Sequence, residues 1–153
     1  MIWGHYADSH RGVAIELEIP EKYIHHVDYV NDRIMLTEAD PISAIGRPDG
    51  LSLINRKLLR TKYIHWKYED EARVVFSSEE AIEDSGIEFV PCDSEIQITG
   101  VISGALCDLT EHEIASYLPS NSSIKFTKGR TAFKKYDIVP DQRRNNITIN
   151  SSN

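Results

Sequence analysis

The pattern of apolar and polar positions predicts short strands separated by helices. Residues 13–19 alternate apolar and polar, which is the period of a strand with one buried face. In residues 51–66 the apolar side chains instead recur at helical spacing, on one face of a predicted helix, and most of the basic side chains lie off that face. Residues 71–76 and 95–104 are again strand-like, and Gly100 inside the latter indicates a bulge. Residues 3–10 have short helical spacing, and residues 23–30 show a weaker alternation that could pair with the first strand as a hairpin. Three strands and two helices are therefore expected before a long central strand.

The C-terminal third adds one helix and two more predicted strands. Thr110 followed by Glu113 forms a capping box, which predicts a helix over residues 111–118. Residues 124–128 and 131–139 are predicted strands joined by a tight turn at Gly129. The order of elements favours an α+β fold, a mostly antiparallel sheet with two or three helices packed on it.

The length and the turn residues predict one domain with a polar tail. A chain of 153 residues has room for a single domain, placed at residues 1–142. Residues 143–153 are rich in Asn and Ser and are predicted to be a flexible tail. Residues 31–50 contain several turn residues and are predicted to be a loop.

The net charge and its distribution along the chain limit the kinds of partner that the protein can bind. The net charge of -7 argues against wholesale binding of nucleic acid or of an anionic membrane, since both require basic surface. Residues 125–144 are basic instead, because they contain seven Lys or Arg and only two Asp. Their net charge is therefore +5, and the rest of the chain carries a net charge of -12. This basic strip is interpreted first as a solvated strand and tail, and second as a phosphate-contacting surface.

The cysteines and the hydropathy predict a cytoplasmic protein. Cys92 and Cys107 stand alone in the sequence and fit no zinc or redox motif, so reduced thiols are expected. The N-terminus lacks the pattern of a secretory signal, and no apolar run is long enough to span a membrane. We expect no cofactor, because no P-loop or Gly-x-Gly-x-x-Gly motif occurs, and no metal, because no two of the six histidines stand three or four residues apart.

The first polar cluster lies at the N-terminus. If this segment is helical, Trp3 and Tyr6 share a face and His5 lies to the side, so a ring nitrogen and a phenol can flank a pocket. The alternative is structural: Trp3 and Tyr6 anchor the segment in the core and His5 makes one hydrogen bond.

The second polar cluster comprises Lys62, Trp66, Glu69, Glu71 and Arg73. Strand alternation places Glu69, Glu71 and Arg73 on one side, where unpaired burial of their charges is costly. Two carboxylates close together can have different pKa values, so that one acts as an acid and the other as a base. Alternatively, the cluster is an ion-pair ladder that includes Lys62.

Three segments together resemble a family of bacterial proteins, the domain of unknown function numbered 2971. They are residues 2–16 (IWGHYADSHRGVAIE), the spaced set from Lys62 to Arg73 that includes Tyr68, and residues 98–104 (ITGVISG). Members are similar to cytoplasmic proteins from mobile or defence-associated gene neighbourhoods and have no established activity. Typical members carry a further N-terminal region with an Asn-Asp-Pro motif, so the resemblance implies a shortened member or a piece of a longer protein.

Two functions remain open. The first is a small ligand-binding or interaction protein, for which a homo-oligomer and a small phosphorylated or nucleotide ligand are the expectations. The second is an enzyme or toxin-like effector directed at a nucleotide, NAD or nucleic acid. Its candidate catalytic residues are His5, Tyr6, Glu69 and Glu71, and the ligand-binding candidates are Trp3, Lys62, Trp66 and Arg73.

Overall fold

The chain forms two compact units. The computed structural model describes residues 2–35, 53–76, 81–92, 95–144 and 147–151. Unit 1 combines Met1–Ile19 with Cys92–Asn153, and unit 2 is Pro20–Pro91. Unit 2 is thus an insertion within the sequence of unit 1. The single domain over residues 1–142 stays a prediction. Much of the predicted loop at residues 31–50 lies outside the described residues.

The described residues contain the following helices and strands. In chain order they are α1 (Ile2–His5), β1 (Val13–Glu18), a 3-10 helix (Glu21–Tyr23), β2 (His25–His26), β3 (Asp28–Val30), α2 (Leu53–Arg60), β4 (Thr61–Tyr63), a second 3-10 helix (Ile64–Glu69), β5 (Ala72–Arg73), β6 (Ile82–Asp84), β7 (Ile87–Phe89), β8 (Gln97–Ser103), α3 (Glu111–Ser116), β9 (Ser123–Thr131), β10 (Ile138–Pro140) and β11 (Ile147–Asn150).

Unit 1 is built on a five-stranded sheet. The strands run in the order β1-β8-β9, and β10 and β11 both pair with β9. Only the β8–β9 pair is parallel; β1, β10 and β11 are antiparallel to their neighbours. The predicted α+β class and mostly antiparallel sheet are confirmed. The predicted number of helices is too low, because the described residues include four helical segments of at least four residues.

The core of unit 1 lies where α3 covers β8, β9 and β11. The predicted capping box is present: Thr110 Oγ1 accepts from the Glu113 amide at 3.2 Å, and Glu113 Oε2 accepts from the Thr110 amide at 2.8 Å. The helix ends two residues earlier than predicted, at Ser116. The buried cluster comprises Val101, Ile114, Ala115, Ile124, Phe126 and Ile149.

The predicted bulge occurs at Gly100. Glu16 pairs with Gly100, whereas Leu17 pairs with Ile98, so Thr99 is the extra residue of β8. The Glu16 carboxylate lies where a Cβ at Gly100 would have to be. That carboxylate ends a flexible side chain and can move aside, so the firmer constraint on a larger residue here is the Lys125 carbonyl oxygen, 3.1 Å from the Cβ position.

Two C-terminal predictions differ from the structure. The predicted turn at Gly129 is instead the interior of β9. On one edge β8 pairs with β9 as far as Lys128, and on the other edge β10 pairs with Gly129. The predicted tail contains β11, and Ile149 in it is only 5% exposed. Ile147 and Ile149 alternate with polar residues, which is the strand period, but the run is too short to stand out beside its Asn and Ser neighbours.

Unit 2 consists of short strand pairs. β2 pairs antiparallel with β5, β3 pairs parallel with β4, and β6 with β7 form a hairpin. The helix predicted over residues 51–66 ends at Arg60, after which Thr61 donates through Oγ1 to the Lys57 carbonyl at 2.6 Å and β4 begins. Among the residues of this unit whose burial the structure describes, which exclude residues 53–56, Val27 is the only buried apolar residue.

No helix among the described residues is both long and apolar enough to cross a membrane.

Candidate functional site

The second polar cluster is assembled by three successive segments of unit 2. Lys62 lies in the middle of β4, opposite Tyr29 of β3. Glu69 ends the second 3-10 helix, and Asp70 follows in the left-handed conformation, with φ of 47°. Asp tolerates this conformation better than most residues, and the turn redirects the chain so that Glu71 returns to Lys62.

Lys62 and Arg73 enclose the two carboxylates in a continuous ion-pair network. Lys62 Nζ donates to Glu69 Oε2 and, at 3.0 Å, to Glu71 Oε2. Arg73 Nε donates to Glu71 Oε1 at 2.6 Å, and Arg73 Nη2 donates to Oε2 at 3.2 Å. The guanidinium also donates through Nη1 to the Leu59 carbonyl. This bidentate contact fixes the orientation of the Glu71 carboxylate.

The Glu71 backbone is also fixed by hydrogen bonds, at both its amide and its carbonyl. The Glu71 amide donates to Tyr29 Oη at 2.8 Å, and the Glu71 carbonyl accepts from the Val27 amide at 3.0 Å. Lys62 Nζ lies 5.1 Å from the ring centroid of Trp66, close enough for a cation–π contact. The network therefore ties together five elements of the unit: β3, α2, β4, the second 3-10 helix and β5.

The network changes the acidity of its members. Hydrogen bonds from Arg73 first, and then from Lys62, lower the pKa of Glu71 from 4.5 to about 2. Hydrogen bonds to Glu69 and Glu71 raise the pKa of Lys62 above its ordinary value, and the bond to Glu71 raises that of Arg73. The Glu69 side chain is only 7% exposed, so its charge needs the ammonium beside it.

The sequence predicted which residues form this network but not the backbone conformation that brings their side chains together. Strand alternation from Glu69 to Arg73 was expected to align the three side chains. In the structure Glu69 is helical and only Arg73 of the three lies in a strand, so the alignment depends on the left-handed turn at Asp70. The arrangement is that of the predicted ion-pair ladder. The catalytic and ligand-binding roles of its members stay predictions.

The first polar cluster lies in unit 1 and is described separately. Trp3 is half-buried, whereas His5 and Tyr6 are exposed, with ring centroids 6.4 Å apart. The exposure of Tyr6 differs from the structural interpretation, in which it anchors the segment in the core. The ligand-binding role of Trp3 and the catalytic roles of His5 and Tyr6 stay predictions.

The N-terminal motif and the ITGVISG motif meet through their backbones. The Gly104 amide donates to the Gly12 carbonyl at 2.9 Å, and the Leu106 amide donates to the His10 carbonyl at 3.0 Å. A Cβ at Gly104 would overlap the His10 carbonyl, whose carbon lies 2.7 Å away. His10 itself has a positive φ of 72°. Close packing of two chain segments thus explains these glycines without a ligand.

Unit 2 also contains an open cavity of about 610 Å³ beside the network. One wall is the segment that follows β3, and the other is formed by the end of α2 and by β4. The lining residues are Val30, Asn31, Asp32, Arg33, Ile34, Leu58, Thr61, Lys62 and Tyr63. Lys62 is the one lining residue that the sequence singled out. The others were missed because they come from two segments about 25 residues apart in sequence, which no local pattern connects.

The cavity is lined by two cations, Lys62 and Arg33, and by one aromatic face. No salt bridge within the described residues engages Arg33. The Tyr63 ring is stacked on His65, with centroids 4.7 Å apart and planes 18° apart. Among the described residues no group of three or more His, Cys, Asp or Glu side chains is placed to hold a metal ion.

No family model, curated protein or solved structure matches the chain. The chemistry of its own residues is therefore the basis for the function.

Proposed function

We propose that the chain is a small ligand-binding protein whose site is the cavity of unit 2. The observation that carries the proposal is the cavity itself. Its volume of about 610 Å³ falls within the roughly 300–1,000 Å³ range of small-molecule sites. Apolar walls from Val30, Ile34 and Leu58 alternate with a few polar groups, which is the composition that such sites usually have.

The lining favours a phosphorylated ligand with a planar ring. Arg33 supplies a guanidinium with no competing salt bridge within the described residues, and guanidinium groups bind phosphate in a bidentate manner. Tyr63, half exposed and already stacked on His65, presents an aromatic surface for a base. A nucleotide combines both features, and a ligand of that size fits the cavity.

Binding is favoured over catalysis because the neighbouring network holds its charges fixed. A general base works best with a pKa near the working pH, whereas the pKa of Glu71 is about 2. Lys62 is held protonated by the two carboxylates. We infer that the network keeps β4 and the wall of the cavity in place. A catalytic role for Glu71 would require a ligand that displaces Arg73.

The biological setting belongs to the proposal as well. Membership of family 2971, a bacterial cytoplasmic location and carriage on a mobile cassette or defence locus follow from the resemblance of the three motifs. A homo-oligomer is a further expectation, and sedimentation velocity of the purified chain would measure it.

Thermal stabilisation tests the binding proposal. The chain is heated with ATP, GTP, AMP, NAD or inorganic phosphate, each in excess. A ligand at 100 times its dissociation constant should stabilise the folded chain by about 2.7 kcal/mol, seen as a higher Tm. Arg33→Gln and Tyr63→Ala should abolish the rise, whereas Lys67→Gln, an exposed cation of the same unit outside the cavity lining, should leave it unchanged.

Two outcomes would overturn the proposal. If none of the five probes raises Tm, the cavity does not bind this class of ligand. If a probe raises Tm equally in the wild type, Arg33→Gln and Tyr63→Ala, the ligand binds elsewhere. Isothermal titration of the same variants separates lost binding from a general loss of stability.

A further inference from the structure

The β9–β10 hairpin ends in an exposed aromatic and basic tip. Thr131 pairs with Ile138, and the Ala132 amide donates to the Asp137 carbonyl at 2.9 Å, which closes the hairpin. Between them protrude Phe133, Lys134, Lys135 and Tyr136. We call these four residues, with Arg130, the basic tip.

Both aromatic rings of the basic tip are in water. Phe133 is 86% exposed and Tyr136 is fully exposed. The Arg130 guanidinium lies 4.7 Å from the Phe133 ring centroid, so this ring is held against a cation and not against a core. A hairpin that only connects two strands needs no aromatic side chains at its turn. Their exposure indicates a surface for a partner.

A cavity of about 460 Å³ adjoins the tip. Arg130, Phe133, Lys134 and Lys135 line one part of it, and Val139, Pro140 and Gln142 are among the remaining lining residues. No salt bridge within the described residues engages the two lysines. The cavity therefore combines available positive charge, an aromatic wall and an amide able to bond a base edge.

The local charge is opposite to that of the chain. The tip lies within residues 125–144, whose seven Lys or Arg and two Asp oppose the net charge of -7. Because the rest of the chain carries net negative charge, a polyanion is attracted to the basic strip at residues 125–144 and repelled elsewhere. The net charge of the whole chain therefore does not exclude binding of a short single strand at the tip.

We propose that the basic tip binds single-stranded nucleic acid. Bases stack on Phe133 and Tyr136, and Arg130 and the two lysines contact the phosphates. This is the combination of stacking platform and positive charge that sequence-tolerant single-strand binding uses. A duplex would hide the base faces from these rings, and the amide of Gln142 in the cavity fits a base edge better than a lipid chain. The site is independent of the cavity in unit 2.

Fluorescence anisotropy with a labelled single strand of about 12 nucleotides tests the proposal. Phe133→Ala and Tyr136→Ala should each weaken binding by roughly 5- to 150-fold. Tyr117→Ala is the matched control, because this ring is 82% exposed in unit 1 and lies outside the tip; it should bind as the wild type does.

The salt dependence tests the phosphate contacts separately. Three contacts to a single strand predict a slope of about -2 for the logarithm of the binding constant against the logarithm of the salt concentration. Lys134→Gln combined with Lys135→Gln should reduce the slope to about -0.7. Lys125→Gln, an exposed lysine of β9 outside the tip, should leave the slope near its wild-type value.

Competition experiments identify the partner. Unlabelled duplex should compete poorly, as should vesicles of phosphatidylcholine with phosphatidylserine. Equal competition by duplex, with no effect of the two aromatic substitutions, would mean attraction by charge alone and overturn the stacking proposal. Binding to vesicles or self-association without binding to the oligonucleotide would assign the tip to a lipid surface or to a second copy. Absence of any binding at low salt would overturn the proposal outright.

Discussion

Replacement of Glu71 by Gln removes the central carboxylate of the ion-pair network while keeping its size. Lys62 would then bond to Glu69 alone, and Arg73 would lose its bidentate partner. Because unit 2 contains little buried apolar surface among its described residues, we expect the network to contribute a large share of its stability.

The lowered pKa gives the magnitude. A fall from 4.5 to about 2 corresponds to about 3 kcal/mol of stabilisation at neutral pH. The Glu71 side chain is 28% exposed, and solvent screening reduces the expected loss in Glu71→Gln to about 1–2 kcal/mol.

The effect should depend on pH in a defined direction. The folded-state pKa of Glu71 is lowered, so its contribution is complete above the ordinary value of 4.5 and is lost as the pH falls through about 2. The difference in stability between wild type and Glu71→Gln should therefore be constant from pH 7 to about pH 5.5, and less than half of it should remain at about pH 3.

Urea unfolding followed by tryptophan fluorescence measures this difference. The chain has two tryptophans, one in each unit, so a Trp3→Phe background makes Trp66 the reporter of unit 2. Glu21→Gln, an exposed carboxylate in unit 2, is the control. If Glu71→Gln costs no more than Glu21→Gln, or if its cost at pH 3 equals that at pH 7, the reasoning from the network is wrong.

Two further predictions concern unit 1. Gly104→Ala should destabilise the chain by more than 1 kcal/mol, roughly the scale of overpacking, because the new Cβ overlaps the His10 carbonyl, whereas Gly4→Ala meets no atom within 4 Å and should be tolerated; thermal unfolding compares the two. Ile149→Ala should cost about 2–5 kcal/mol in urea unfolding, since its side chain is buried under α3, and a cost equal to that of the exposed Leu106→Ala would show that β11 contributes nothing to the core.

The features predictable from the sequence were those set by local chemistry. The capping box at Thr110, the bulge at Gly100 and the strand alternation after Gly12 each depend on residues close in sequence, and each is present. The alternation predicts a buried apolar face for β1, whereas Ile15 is 57% exposed and Leu17 is 48% exposed, so this part of the prediction is wrong.

The features that the sequence did not reveal depend on distant partners. Gly129 is in a strand because β8 pairs with β9 as far as Lys128 on one edge and β10 pairs with Gly129 on the other, and residues 147–150 form a strand because Ile149 reaches the core. The members of the ion-pair network were visible, but the turn that brings Glu71 back to Lys62 was not. The cavity around Arg33 depends on segments far apart in sequence, which no local pattern connects.

The insertion of unit 2 has a consequence for synthesis of the chain. Glu18 at the end of β1 is the register partner of Gln97 at the start of β8, so β1 stays unpaired until the whole of unit 2 has been translated. At about 5–20 residues per second the delay is roughly 4–15 s. During that interval a strand carrying Ile15 and Leu17 is available to other nascent chains on the same message. Slow translation should therefore favour aggregation through β1 more than through any later strand of the sheet.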